Sequence, residues 1–132
     1  MQRETVTIIW FTGIITQFIP GPYNVLNLKI NHNTLNKIIN TYKADRYVAF
    51  INVRNDLEER QYSELIVKEN IQSKLLFHFI KPDEDYIDIL FKFKYTHNIN
   101  YFIDCDRRRL VNIFKFGLMN GDRLIHVSQL LD

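Results

Sequence analysis

Between Tyr86 and Tyr95, the residues Ile87, Ile89, Phe91, Phe93 and Tyr95 repeat with a period of two, and Asp88, Lys92 and Lys94 take the alternate positions. Side chains of an extended strand alternate between faces, whereas a helix would scatter these rings around its surface, so the spacing predicts a half-buried strand. The same chemistry recurs along the chain. Apolar stretches rich in Ile, Val, Phe and Tyr return at roughly ten-residue spacing, punctuated by only four Gly and three Pro. β-Branched and aromatic residues of this kind suit a pleated surface. Strands are therefore expected over residues 5–11, 24–30, 47–53, 60–68, 74–80, 86–95, 101–105, 112–116 and 124–130, with turns at 18–22, 55–56, 98, 106 and 120–122. One segment reads two ways. Leu35, Ile38, Ile39 and Tyr42 have the spacing of an amphipathic helix capped by Thr34, while a strand over 37–42 competes. Nine to eleven short strands imply an all-β, antiparallel two-sheet sandwich or a barrel.

Composition narrows the class. A chain of 132 residues with 46% hydrophobic and 24% charged residues is expected to fold as one domain over 1–132, since no repeat, linker or compositional shift divides it. Lys and Arg number 17 against 15 Asp and Glu, a net charge of +2. That balance argues against a nucleic-acid or anionic-membrane partner. Cys105 is the only cysteine, which excludes an internal disulfide framework and a multi-cysteine zinc cluster. No apolar run approaches the roughly 20 residues of a membrane helix, and the start of the chain is unlike a secretory leader, so a cytoplasmic protein is expected.

Catalytic chemistry is weakly advertised. His32, His78, His97 and His126 are far apart, and none has a second ligand at metal-binding spacing, so no metal or cofactor is expected. Asp83, Glu84 and Asp85 follow Pro82 and read as a solvated loop. Cys105 precedes Arg107, Arg108 and Arg109, cations that favour a thiolate, yet its alternation with Tyr101 and Ile103 equally suits a small core residue. Phosphate-binding glycine loops and nucleophile elbows are missing from the sequence, and an enzyme is not indicated. The remaining polar cluster is Arg46, Asn52, Arg54, Asn55, Glu58, Glu59 and Arg60. Guanidinium, amide and carboxylate groups on neighbouring strands are what paired sugar hydroxyls require, and they equally make an ordinary solvated face.

Several short motifs resemble the galectin carbohydrate-recognition domain. They are Asn24-Val25-Leu26-Asn27-Leu28, Arg46-Tyr47 leading to Asn52, Glu58-Glu59-Arg60, Arg108-Arg109-Leu110, and the closing Gly121-Asp122-Arg123-Leu124-Ile125-His126-Val127. The resemblance implies a jelly-roll β-sandwich and a carbohydrate site of Tyr42, Arg46, Asn52, Glu58 and Arg60. It departs from the galectin pattern at Tyr42 and Ala44, which stand where His and Asn are expected, and at Asn55, which stands where the sugar-stacking Trp belongs. The resemblance also implies export without a signal peptide and a dimer edge formed by the first and last strands, with Val6, Ile8, Trp10, Ile125 and Val127 as interface candidates. The sequence reading is thus a non-catalytic module that binds another protein or a second copy of itself. A lectin with a remodelled glycan site is the alternative. A fatty-acid-binding barrel has nearly this length, but Arg123-Leu124-Ile125 does not supply the Arg-x-Tyr that holds the carboxylate in such proteins.

Overall fold

The computed structural model describes residues 3–19 and 27–130. Its centre is β1 (Thr5–Trp10), whose sequence TVTIIW becomes continuously apolar toward its end. A strand covered on both faces needs such a run. β1 pairs in parallel with β4 (Arg46–Asn52) on one side and with β6 (Asn98–Asp104) on the other. β5 (Leu76–Ile80) extends the sheet beyond β4, and the short β7 (Leu124–His126) extends it beyond β6, giving the order β5-β4-β1-β6-β7.

Parallel neighbours cannot be joined by a tight turn, so each connection carries a helix. α1 (His32–Thr41) lies between β1 and β4, and α2 (Asp56–Lys68) between β4 and β5. α3 (Tyr86–Thr96) leads into β6 and α4 (Arg107–Lys115) into β7. Right-handed crossovers that run in opposite directions from β1 put the two pairs of helices on opposite faces of the sheet. Contacts agree with that pairing. His32 Nε2 lies 3.1 Å from Glu69 Oε2, joining α1 to the end of α2, and Asn112 donates to the Tyr86 hydroxyl at 3.2 Å, joining α4 to α3. A small antiparallel hairpin of β2 (Thr16–Ile19) and β3 (Asn27–Ile30) is inserted between β1 and α1. The core lies on both sides of the main sheet, with Ile8, Ile9, Phe50, Phe102 and Ile103 fully buried.

This architecture overturns the expected all-β jelly roll and the fold that the galectin resemblance implies. Every pairing in the main sheet is parallel, and four helices cover it. Three segments read as strands are helical: 60–68 in α2, 86–95 in α3, and all but the last residue of 112–116 in α4. The period of two in 86–95 does not mark a buried face. α3 buries Ile87, Ile89 and Leu90 and leaves Phe91 46% and Tyr95 84% exposed. Local capping supports the helical choice. The Asp85 side chain accepts from the Ile87 amide at 2.9 Å, the Asn55 side chain from Glu58 at 2.9 Å, and the Asp106 side chain from Arg108 at 2.8 Å. In α1 the helical alternative is realised, with Asn31 in place of Thr34 as the cap. Residues 20–22 and 24–26, read as part of a turn and a strand, lie outside the described residues. Among the described residues no helix is long and apolar enough to cross a membrane.

Asn55 closes the first turn of α2 while Glu58 accepts from the Arg54 amide at 3.1 Å, a reciprocal arrangement close to a capping box. Asn55→Ala is expected to lower stability by about 1 kcal/mol in urea unfolding, with little change in the slope of the transition.

Candidate functional site: the crevice at the carboxyl end of the sheet

In open parallel sheets, ligands enter the crevice outside the carboxyl ends of the strands, where the strand order reverses. Here the reversal lies between β1 and β6. Trp10, Thr12 and Gly13 leave β1, and Asp104, Cys105 and Asp106 leave β6 toward the start of α4. The two exits are in close contact. Gly13 has φ +92°, and a Cβ built on it would fall 2.8 Å from Cys105 Sγ. Glycine is therefore required twice, by its backbone conformation and by the room it leaves for the sulfur.

The crevice is filled by the protein's own side chains. Asp104 is fully buried and accepts from Arg109 Nε at 2.7 Å and from Arg109 Nη2 at 2.9 Å. This is the bidentate fork that suits guanidinium and carboxylate. The Arg109 guanidinium lies over the Trp10 ring, its central carbon 3.8 Å from the ring centroid. Tyr86 meets Trp10 in a T-shaped contact with ring centroids 5.9 Å apart. Burial opposes the Arg109 charge, but the hydrogen bonds and charge of Asp104 outweigh it, and the Arg109 pKa is raised. Burial also raises the Tyr86 hydroxyl.

Neither Cys105 nor His126 is arranged as a nucleophile. The Cys105 thiol donates to the Thr12 carbonyl at 3.5 Å. Burial and then the neighbouring Asp104 push its pKa up, the opposite of the thiolate that its arginine neighbours suggest in the sequence. His126 Nε2 contacts the Cys105 backbone carbonyl at 3.2 Å and leaves the sulfur without a base. Among the described residues no cluster of three His, Cys, Asp or Glu is placed to hold a metal. Beside the filled centre, an open hollow of about 400 Å³ is lined by Trp10, Asn52, Tyr86 and the acidic turn before α3.

The residues expected from sequence to bind carbohydrate are dispersed. Arg46 begins β4 and pairs with Glu4 at 2.7 Å, whereas Asn52 ends the same strand, six residues and about 20 Å away. Glu58 is buried in the first turn of α2 against Arg54, Arg60 is exposed on that helix, and Tyr42 caps α1 with its ring on Tyr101 at 5.1 Å. Of the five, only Asn52 reaches the crevice. Among the interface candidates, Val6, Ile8 and Trp10 sit on the central strand and are buried, Ile125 is buried on β7, and Val127 is half-buried. The group that does converge is Trp10, Asp104 and Arg109. Its signal in the sequence is an acidic residue ending an apolar strand, a second acidic residue that caps the next helix, and an arginine one turn later.

No family model, curated protein or solved structure matches this chain.

Arg109→Ala leaves the Asp104 carboxylate buried without its partner and is expected to cost about 3–5 kcal/mol in urea unfolding. Arg109→Lys retains the charge without the fork and should cost less. Iodoacetamide should alkylate Cys105 more slowly than a free thiol at neutral pH. The rate should rise only as pH passes above the ordinary thiol value of about 8.5, because the thiolate is the reacting form.

Proposed function

We propose that this protein is a non-catalytic interaction module that associates with a second copy of itself. The observation that carries this reading is the filled crevice. The place where a sheet of this order receives a substrate is taken up by Arg109, held against Trp10 and clamped to Asp104. A substrate entering there would have to displace a buried ion pair, and the neighbouring thiol is protonated and directed at a backbone carbonyl.

Among the described residues nothing pairs with the outer edge of β5, and that edge supplies a surface for association. Its sequence, LFHFI, contains no proline and no charged residue that would discourage pairing with another chain. Leu76 at its start is half exposed, and α2, the crossover helix leading into this strand, carries Leu57 and Val67 exposed as well. Two β5 edges related by a twofold axis would pair antiparallel and continue the sheet across the dimer. This replaces the edge of first and last strands, because β1 lies at the centre of the sheet.

Light scattering during size-exclusion chromatography tests the reading. The protein should run at about twice its 15.9 kDa mass. Leu76→Lys places a charge on a half-exposed edge position without opening the core, and it should return the protein to the monomer mass. A wild-type protein that remains monomeric at high concentration would sink the proposal.

A further inference from the structure

We propose that the amino end of the sheet carries a binding site for a nucleoside phosphate, free or at the end of a single strand. Two hollows lie side by side there and share Arg3 and Lys94 in their linings. One, of about 320 Å³, is completed by the rings of Phe91 and Tyr95. The other, of about 350 Å³, is completed by polar groups of His97, Asn98 and Asn120, by Arg123, and by the backbone after α4.

The charges converge. Arg3, Lys94 and Arg123 line the second hollow, and among the described residues no carboxylate does. Among the described residues none of these three cations has a carboxylate within ion-pair distance. Arg3 donates through NH1 to the Lys94 carbonyl at 3.1 Å, and Arg123 donates through NH1 to the Asn100 carbonyl at 3.3 Å while its guanidinium faces Tyr101. These bonds fix both guanidinium groups, and the Arg3 bond offsets the negative end of α3, leaving their other N–H groups for a ligand. Glu4 Oε2 lies 3.9 Å from His97 Nε2, and the other oxygen of Glu4 is paired with Arg46. Asp122 lies outside both linings.

The aromatic half specifies what the anion is attached to. Tyr95 and Phe91 stand one turn apart on α3, 84% and 46% exposed, with Lys94 between them in sequence. Exposed rings beside unpaired cations match a ligand that joins a flat π-face to a phosphate, since bases stack on such rings whatever their identity. Inorganic phosphate would leave the rings uncovered, and a nucleoside would leave the cations unused. The site lies on α3 and β6, across β1 from the β5 edge, and does not depend on self-association.

Calorimetric titration with AMP, adenosine, inorganic phosphate and 5′-phosphorylated hexathymidylate tests this proposal. AMP should saturate, with adenosine and phosphate each at least about tenfold weaker. Lys94→Gln and Tyr95→Ala, both at exposed positions and expected to leave thermal unfolding unchanged, should each weaken AMP binding about tenfold. An oligonucleotide that binds more tightly than AMP, and loses that advantage in salt, identifies a strand end as the ligand. Equal or weaker binding identifies the free nucleotide. The proposal fails if neither AMP nor the oligonucleotide saturates at millimolar concentration, if phosphate alone binds as well as AMP, or if both variants bind like the wild type.

Discussion

β1 is hydrogen-bonded along both edges and covered on both faces, and the rest of the molecule is arranged around that constraint. A strand in this position cannot tolerate a solvent-facing polar row, which is why Val6, Ile8, Ile9 and Trp10 are all buried. Thr7, polar and in the middle of the strand, is also buried and donates its hydroxyl to the Tyr42 carbonyl at 3.0 Å. Parallel partners on both sides oblige the chain to cross over with helices on both faces. The same parallel pairing brings the carboxyl ends of β1 and β6 together and makes the crevice between them.

That crevice is built as a site and occupied as a core. Gly13 lets the exit of β1 approach Cys105, and Asp106 caps α4 so that Arg109, one turn later, reaches back to Asp104. The fork of Arg109 satisfies a carboxylate that burial would otherwise make very costly, and the same guanidinium lies over the indole. Geometry that in other doubly wound sheets is left open for a ligand is used here to neutralise one buried charge. The surfaces proposed for binding accordingly lie at the periphery, on the β5 edge and at the basic, aromatic hollows beside the amino ends of the strands.

A net charge of +2 conceals how the charges are distributed. Arg46, Arg54 and Arg109 each face a carboxylate, and their charges are cancelled where they stand. Arg3, Lys94 and Arg123 come from the start of the chain, from α3 and from the turn before β7, and they meet only when the sheet is assembled. Exposed rings show the same pattern, because Phe91 and Tyr95 look like core residues until the helix turns them outward.

The strands β1, β4, β5 and β6 were legible from their apolar, β-branched runs, and the alternative helix over α1 from its spacing, because those signals are local. The class of fold was not legible. Residues 86–95 satisfy a period of two as well as they satisfy an amphipathic helix, and local spacing cannot register that their neighbours in space are parallel strands needing a crossover between them. The caps at Asn55, Asp85 and Asp106 were present in the sequence, but each also reads as a turn, since the same side chains serve both. The ion pair at the crevice was half visible. Asp104 and Arg109 stand in one short run whose reach could be counted, whereas Trp10 lies more than ninety residues away and joins them only through the pairing of β1 with β6. The amino acids alone determined which segments must be buried and where helices can start. Tertiary structure decided which segments became strands and which charges met, because hydrogen-bond partners and counter-ions are distributed in space and not along the chain.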